Sequence, residues 1–202
     1  MNTMKTKQLL LSAALGLASS LAFASQIVTQ WNFQDSSGGT STANIGTGTI
    51  TPIGDVTHSG FNSGSGSSDP IQPGSGFQTT SYPSQSTASG TAGIRVDVPT
   101  LGFASPAFSS LEVSFDLRTS NTASRWYRLD YTTDGTNWNL GTPSRLGAAA
   151  NAGDSWHNNN TVQINDLAAL NNNNFGFRVV SVFSPDAFTE ANSSTNFAAN
   201  TA

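Results

Sequence analysis

The segment "RTSNTASRWYRLDYTTDGTNW" at residues 118–138 follows directly on "LEVSFDL" at residues 111–117. Apolar residues alternate with polar ones in both segments: Leu111, Val113, Phe115 and Leu117, then Tyr127, Leu129 and Tyr131. Residues two apart in a strand share a face, so this alternation predicts two strands, each with one face in the core and the other in water. The polar segments "TSNTAS" and "TDGTN" predict turns, and the two strands are expected to form a hairpin with their apolar faces opposite each other.

The same period of two recurs in "QIVTQWNF" (26–33), "GIRVDVPT" (93–100) and "NFGFRVVSVF" (174–183), with shorter candidates at 49–53, 138–140 and 161–164. No long segment after residue 24 has the apolar spacing of a helix. Residues 36–89 are rich in Gly and Ser, which predicts mobile loops with short edge strands around Ile50 and Phe77. The pattern indicates an all-β fold of antiparallel sheets packed as a β-sandwich.

The first residues, "MNTMKTKQLLLSAALGLASSLAFAS", have the three parts of a secretory signal peptide. Lys5 and Lys7 precede an apolar run, and Ala22-Phe23-Ala24 is a small-x-small cleavage site. An uncleaved anchor helix is the alternative, although the apolar run is short for a membrane span. We therefore expect residues 1–24 to be removed and the protein to be secreted, without membrane insertion after cleavage.

Cleavage would remove both lysines and leave six arginines and twelve acidic residues, a net charge of 6 − 12 = −6. Such a surface argues against nucleic acid as a partner, because the phosphate backbone requires clustered positive charge. The chain has no cysteine, so disulfides cannot stabilise it. Its stability must come from burial and backbone pairing.

Two segments, "VSFDLRTSNTASRWYRLDYTTDGTNW" and "GDSWHNNNTVQINDLAALNNNNFGFRVVSVFSP", resemble a secreted bacterial domain. That domain occurs in exported proteins with a PEP-CTERM-type sorting tail and attached to extracellular enzymes. "WNFQD" at 31–35 and "SSDP" at 67–70 are similar to it as well. The resemblance implies a jelly-roll-like β-sandwich similar to carbohydrate-binding modules, and it implies no reaction.

Relatives in that family continue into a further strand and often a sorting tail, which residues 184–202 do not match. The expected organisation is a signal peptide at 1–24, a β-sandwich at 25–183, and a disordered or truncated tail at 184–202. Without a closing strand, residues 27–33 are expected to be poorly covered along one edge.

Catalytic chemistry has few candidates in this sequence. There is no Cys nucleophile or G-x-S-x-G motif, and His58 and His157 lie in loop-like contexts. Asp116 and Asp130 could form the carboxylate pair of a glycosidase. Cross-strand pairs between Asp and the alternating arginines are the simpler interpretation, since a paired carboxylate has its pKa lowered.

No cofactor is predicted, but calcium could bind carboxylates and backbone oxygens in the loops. Asp35, Asp69 and Asp134 are loop acids of this type, and the first two are the candidate ligands of a structural calcium. Asp134-Gly135 is better interpreted as a turn, in which Asp caps the loop and Gly takes a positive φ.

Ligand binding is the remaining possibility. The candidate residues are the out-of-phase Trp126 with its neighbours on the outer face and a tryptophan in a polar loop: Trp126, Arg128, Asp130, Arg118 and Trp156. An exposed tryptophan beside polar groups can bind sugar, although packing is its commoner role. The leading hypothesis is a non-catalytic extracellular module that contacts polysaccharide or cell-surface matrix. The alternatives are a hydrolase using Asp116 and Asp130, or His157, and a structural surface protein without a specific ligand.

Overall fold

The computed structural model describes residues 25–34, 39–68, 74–84, 87–146 and 153–183. Its elements, in order, are β1 (Thr49–Ile53), β2 (Thr57–Ser63), β3 (Ser75–Thr80), β4 (Gly93–Asp97), β5 (Leu111–Arg118), β6 (Trp126–Thr132), β7 (Ser144–Arg145), β8 (Trp156–Ile164), a 3₁₀ helix (Leu167–Ala169) and β9 (Gly176–Val182). The strands pair antiparallel in each sheet. The predicted all-β fold of antiparallel sheets is confirmed. The predictions for residues 1–24 and 184–202, and for Asp35 and Asp69, concern positions outside the described residues.

The larger layer is a five-stranded sheet in the order β1-β4-β9-β6-β7. In its central strand β9, Val179 is 9% exposed on one face and Val180 is 0% exposed on the other. Asp130 of β6, on the face expected to be in water, is also 0% exposed. The prediction that the outer face of the sheet is in water is therefore wrong at its centre, because the loop after β6 folds back over that face.

The second layer is the pair β5–β8, in which Leu111 lies opposite Ile164 and Val113 opposite Val162. The two layers enclose one core, which takes side chains from both: Val96, Val98, Leu111, Val113, Tyr127, Leu129, Leu146, Ile164, Ala169, Leu170, Phe175 and Val179. Two sheets on opposite sides of a shared core are consistent with the predicted sandwich.

The predicted hairpin between β5 and β6 is wrong, because β5 pairs with β8 while β6 pairs with β9 and β7. Residues 119–125 carry the chain from one layer to the other, and Ser124 Oγ donates to the Val182 carbonyl at 2.5 Å. Phe115 and Tyr127 do meet, edge to face at 5.7 Å between ring centroids, but across the core. The alternation sets the inward face of a strand but does not choose its partner.

The predicted edge strands around Ile50 and Phe77 are present as β1 and β3. β3 pairs with β2, a strand that the sequence pattern did not indicate because it has few large apolar residues. Phe61 and Phe77 lie opposite each other in this pair, and Phe33 and His58 pack against them. The Gly/Ser-rich region therefore holds a small aromatic cluster of its own.

The strand predicted at residues 26–33 does not form. Its only pairing within the described residues is an isolated bridge between Gln30 and Ile45, and Ile27 is 55% exposed. Trp31 packs partly against the core and donates its indole N–H to the Ser41 carbonyl at 3.0 Å. This segment is thus held by side-chain contacts, the bridge at Gln30 and a backbone hydrogen bond from Thr40 N to the Phe33 carbonyl at 3.0 Å, instead of a ladder. The candidate strand at 138–140 is likewise reduced to one bridge, at Asn139.

Candidate functional site

Asp130 lies at the centre of a charged network on the outer face of the five-stranded sheet. Its buried carboxylate accepts from Arg128 Nε at 2.6 Å and from Arg178 Nε, on the neighbouring strand, at 2.8 Å. The two arginine side chains are 18% and 16% exposed. A backbone donor, Gly141 N at 3.1 Å, completes the set. The predicted cross-strand Arg–Asp pair is present between Arg178 and Asp130. Because it is buried, removing one partner would leave an uncompensated charge out of water.

Trp138 covers this network from the loop after β6. Its ring lies 4.5 Å from the Arg178 guanidinium carbon and 5.3 Å from that of Arg95. Arg95 in turn binds both oxygens of Asp97 through Nε, at 2.9 and 3.0 Å, and donates to the Gly135 carbonyl at 3.0 Å. These cation–π contacts and ion pairs fasten the loop to the sheet, and they leave Asp130 closed to solvent.

A cleft of about 420 Å³ opens on the opposite side of β6, where the edges of the two layers meet. We call it the seam cleft, and it is lined by Tyr127, Leu129, Tyr131, Gly141, Thr142, Ser144, Thr161, Val162, Gln163 and Ile164. Its volume falls within the range of small-molecule sites, and its walls combine aromatic, aliphatic, hydroxyl and amide groups. A second cavity of about 350 Å³, at residues 41–50, is lined by Ile50 and small residues, without an aromatic ring.

The two tyrosines of the seam cleft are held by hydrogen bonds at their hydroxyl groups. Tyr127 is buried and donates to Asn160 Oδ1 at 3.0 Å, while the half-buried Tyr131 donates to Asp166 Oδ2 at 3.3 Å. Burial raises the pKa of Tyr127, and a hydrogen bond with Ser144 opposes the shift. Burial and the Asp166 carboxylate raise the pKa of Tyr131. Both phenols are therefore neutral at physiological pH.

The cleft wall at residues 141–144 depends on the charged network behind it. A Cβ on Gly141 would lie 2.0 Å from the Leu129 carbonyl oxygen, so only glycine allows the wall to approach β6 this closely. The Gly141 N–H in turn points to Asp130 on the outer face. Asp130 thus positions a wall of the cleft without reaching into it.

The other predicted ligand residues lie in separate places. Arg118 is opposite Trp156 at the end of the β5–β8 pair, and its side chain is 41% exposed and 4.0 Å from Asp154. Trp156 packs on the β2–β3 hairpin, where a Cβ on Gly76 would come within 3.2 Å of its ring. Trp126 is half-buried beside β7. Among the described residues, the enclosed indole N–H groups of Trp126 and Trp156 have no hydrogen-bond partner. A ligand role for these residues stays a prediction.

The Asp134-Gly135 turn has the predicted form. Gly135 has φ 81°, and the Asp134 carboxylate accepts from Thr136 N at 2.8 Å and from Asn137 N at 2.7 Å. These hydrogen bonds, with the Asn137 side-chain amide first among them, hold the pKa of Asp134 well below its usual range. Within the described ranges, no group of three or more His, Cys, Asp or Glu side chains could hold a metal ion. Asp35 and Asp69, the predicted ligands of a structural calcium, lie outside those ranges.

The proposed carboxylate pair is divided between the layers, since Asp116 lies on β5 and Asp130 on β6. Asp116 accepts from Ser68 N at 2.5 Å, from the Ser68 hydroxyl, and from Asn159 N at 2.8 Å beside the β5–β8 bulge. Asp130 is enclosed by arginines. Each carboxylate thus has a set of local donors that accounts for its position.

Sequence reasoning missed the seam cleft as a site, although it placed Tyr127 and Leu129 on the inward face. Thr161 and Gln163 belonged to a candidate strand and carried no ligand prediction. The cleft exists because the edge of β8 lies beside β6 and residues 141–144. The local pattern of the sequence does not specify that adjacency.

In the parts of the chain that the structure describes, no helix has the length and apolar character needed to cross a membrane. No protein-family model, curated protein or solved structure matches the chain.

Proposed function

We propose that this protein is an exported, non-catalytic module that contacts extracellular polysaccharide through the seam cleft. The observation that carries the proposal is the lining of the cleft, where Tyr127 and Tyr131 stand beside the hydroxyl residues Thr142 and Ser144 and the edge of β8. The signal-like residues 1–24 and the resemblance to secreted sandwich domains similar to carbohydrate-binding modules add support.

A sugar ring has apolar C–H faces and a rim of hydroxyl groups, so its binding site needs both kinds of contact. The half-buried ring of Tyr131 offers an apolar surface at the cleft, while its hydroxyl is fixed on Asp166. Thr142 and Ser144 are hydroxyl residues in the lining of the cleft, and the edge of β8 at residues 161–164 forms the wall opposite them. Several weak contacts of this kind along one cleft suit a polymer better than a compact metabolite.

The test is a glycan array with purified residues 25–202, repeated for Tyr131→Ala and for Trp126→Ala. We expect a subset of polysaccharides to bind and Tyr131→Ala to weaken that binding. Tyr82→Ala is the matched control, because Tyr82 follows β3, bonds Thr79 at 3.0 Å and does not line the cleft. Absence of binding at about millimolar sugar, the weak end of specific affinity, would refute the proposal.

The same array separates the rival functions. Loss of binding in Trp126→Ala alone would place the site on the outer face of the five-stranded sheet, where Trp126 lies opposite Arg145 of β7. Turnover of a bound polysaccharide that disappears in a folded Asp130→Asn variant would favour the hydrolase. A folded protein that binds no sugar and cleaves none would favour a structural surface protein.

A further inference from the structure

We infer that the ligand of the seam cleft is an uncharged glycan. This inference rests on the proposed function, and it adds the chemical class of the polysaccharide. It follows from the charges at and around the cleft, which disfavour the uronate and sulfate groups of acidic polymers.

The cleft wall offers no cation to an anionic ligand. Among the described residues that line it, none has a basic side chain, and only the two tyrosines are ionisable. Both phenols are protonated at physiological pH, because burial raises the pKa of each. A carboxylate or sulfate entering this space would lose hydration without gaining an ion pair.

A carboxylate stands beside the cleft. Asp166 accepts from the hydroxyl of the lining residue Tyr131 at 3.3 Å. It would repel an acidic sugar, and the net charge of the chain is itself negative. The same carboxylate does not disfavour a neutral sugar, whose hydroxyls can donate hydrogen bonds to it.

The nearest arginine along the chain is directed elsewhere. Arg145 follows the lining residue Ser144 in β7, but it lies at the register position of Trp126, whereas Ser144 lies opposite Tyr127. Successive strand residues point to opposite faces, so Arg145 is on the far side of the sheet from the cleft. Arg128 and Arg178 are bound to Asp130 on that far side as well.

The experiment compares neutral polymers (β-glucan, xylan and galactomannan) with acidic ones (polygalacturonate, alginate and a sulfated glycan) by affinity electrophoresis and calorimetry at low and high salt. We expect binding of at least one neutral polymer, little changed by salt because no ion pair forms. Tyr131→Ala should weaken it about tenfold, the loss that corresponds to an aromatic contact of roughly 1.4 kcal/mol. Tyr82→Ala should leave it unchanged.

Each other outcome identifies what has failed. Binding of acidic polymers alone, weakened by salt, would overturn the neutral-ligand inference while keeping the polysaccharide function. Neutral binding that is equal in Tyr131→Ala and Tyr82→Ala would overturn the assignment to this cleft. Binding of no polymer would refute the proposed function itself. Circular dichroism of each variant establishes that it is folded, and Tyr131→Leu, which removes the aromatic ring but keeps much of the apolar volume, replaces an unfolded Tyr131→Ala.

Discussion

Replacing Asp130 by asparagine should cost far more stability than the same change at a more exposed carboxylate. Asp130 is fully buried between Arg128 and Arg178, whose side chains are more than four-fifths buried. Asparagine keeps the volume but removes the charge, and its amide hydrogens would face guanidinium donors. Breaking a buried pair costs about 3–5 kcal/mol. Because both arginines retain some contact with water, we expect about 3 kcal/mol, or roughly 6–12 °C in Tm for a domain of this size.

The assay is urea unfolding followed by tryptophan fluorescence, with thermal unfolding as a second measure. Asp97→Asn is the matched control, since Asp97 also pairs with one arginine but its side chain is 38% exposed. That change should cost no more than about 1 kcal/mol. Hydrogen exchange at the Gly141 amide should accelerate in Asp130→Asn, because the amide loses its charged acceptor. Equal destabilisation by the two Asp→Asn changes would refute the reasoning.

Two further predictions concern the core and the loop. Leu129 is 3% exposed, so Leu129→Ala should leave a cavity and lower the free energy of unfolding by about 2–4 kcal/mol. Leu140 is 63% exposed, so the control Leu140→Ala should change it by no more than about 0.5 kcal/mol. An unchanged urea midpoint for Leu129→Ala would show that Leu129 does not face the core. Asp134→Asn should destabilise the protein at pH 7, and the difference from wild type should begin to shrink below about pH 4. The pKa of Asp134 is lower in the folded state than in the unfolded state. Its ionised carboxylate therefore stabilises the fold above the unfolded-state pKa, and this stabilisation is lost as the pH falls towards the folded-state pKa. A difference independent of pH would attribute the effect to turn geometry instead of ionisation.

The sequence predicted those features that depend on near neighbours. The inward phase of Val113, Leu129 and Val179 follows from period-two alternation, and all three are buried. The Asp134 turn follows from the local capacity of its carboxylate to accept backbone N–H groups. Each of these features depends on a few consecutive residues, so one sequence is enough to predict it.

Features that depend on distant contacts were missed. The partner of β5 is β8, which follows it only after β6 and β7, and alternation alone cannot choose it from several similar strands. The charge of Asp130 was noticed, but its burial results from Trp138 and the loop that carries it. The seam cleft was not predicted for the same reason, because β6 and β8 come together only through the packing of two layers.

The position of β9 between β4 and β6 has a consequence for the order in which this chain can acquire structure. β9 is the last described strand, and its partners begin at Gly93 and Trp126. During synthesis, the middle of the larger sheet is therefore incomplete until residues 176–182 have emerged. Contacts of such long sequence separation favour slow folding, and the open edges of β4 and β6 can pair with other chains in the interval. A chaperone that held β4 and β6 apart until that point would raise the yield of folded protein without altering its final stability.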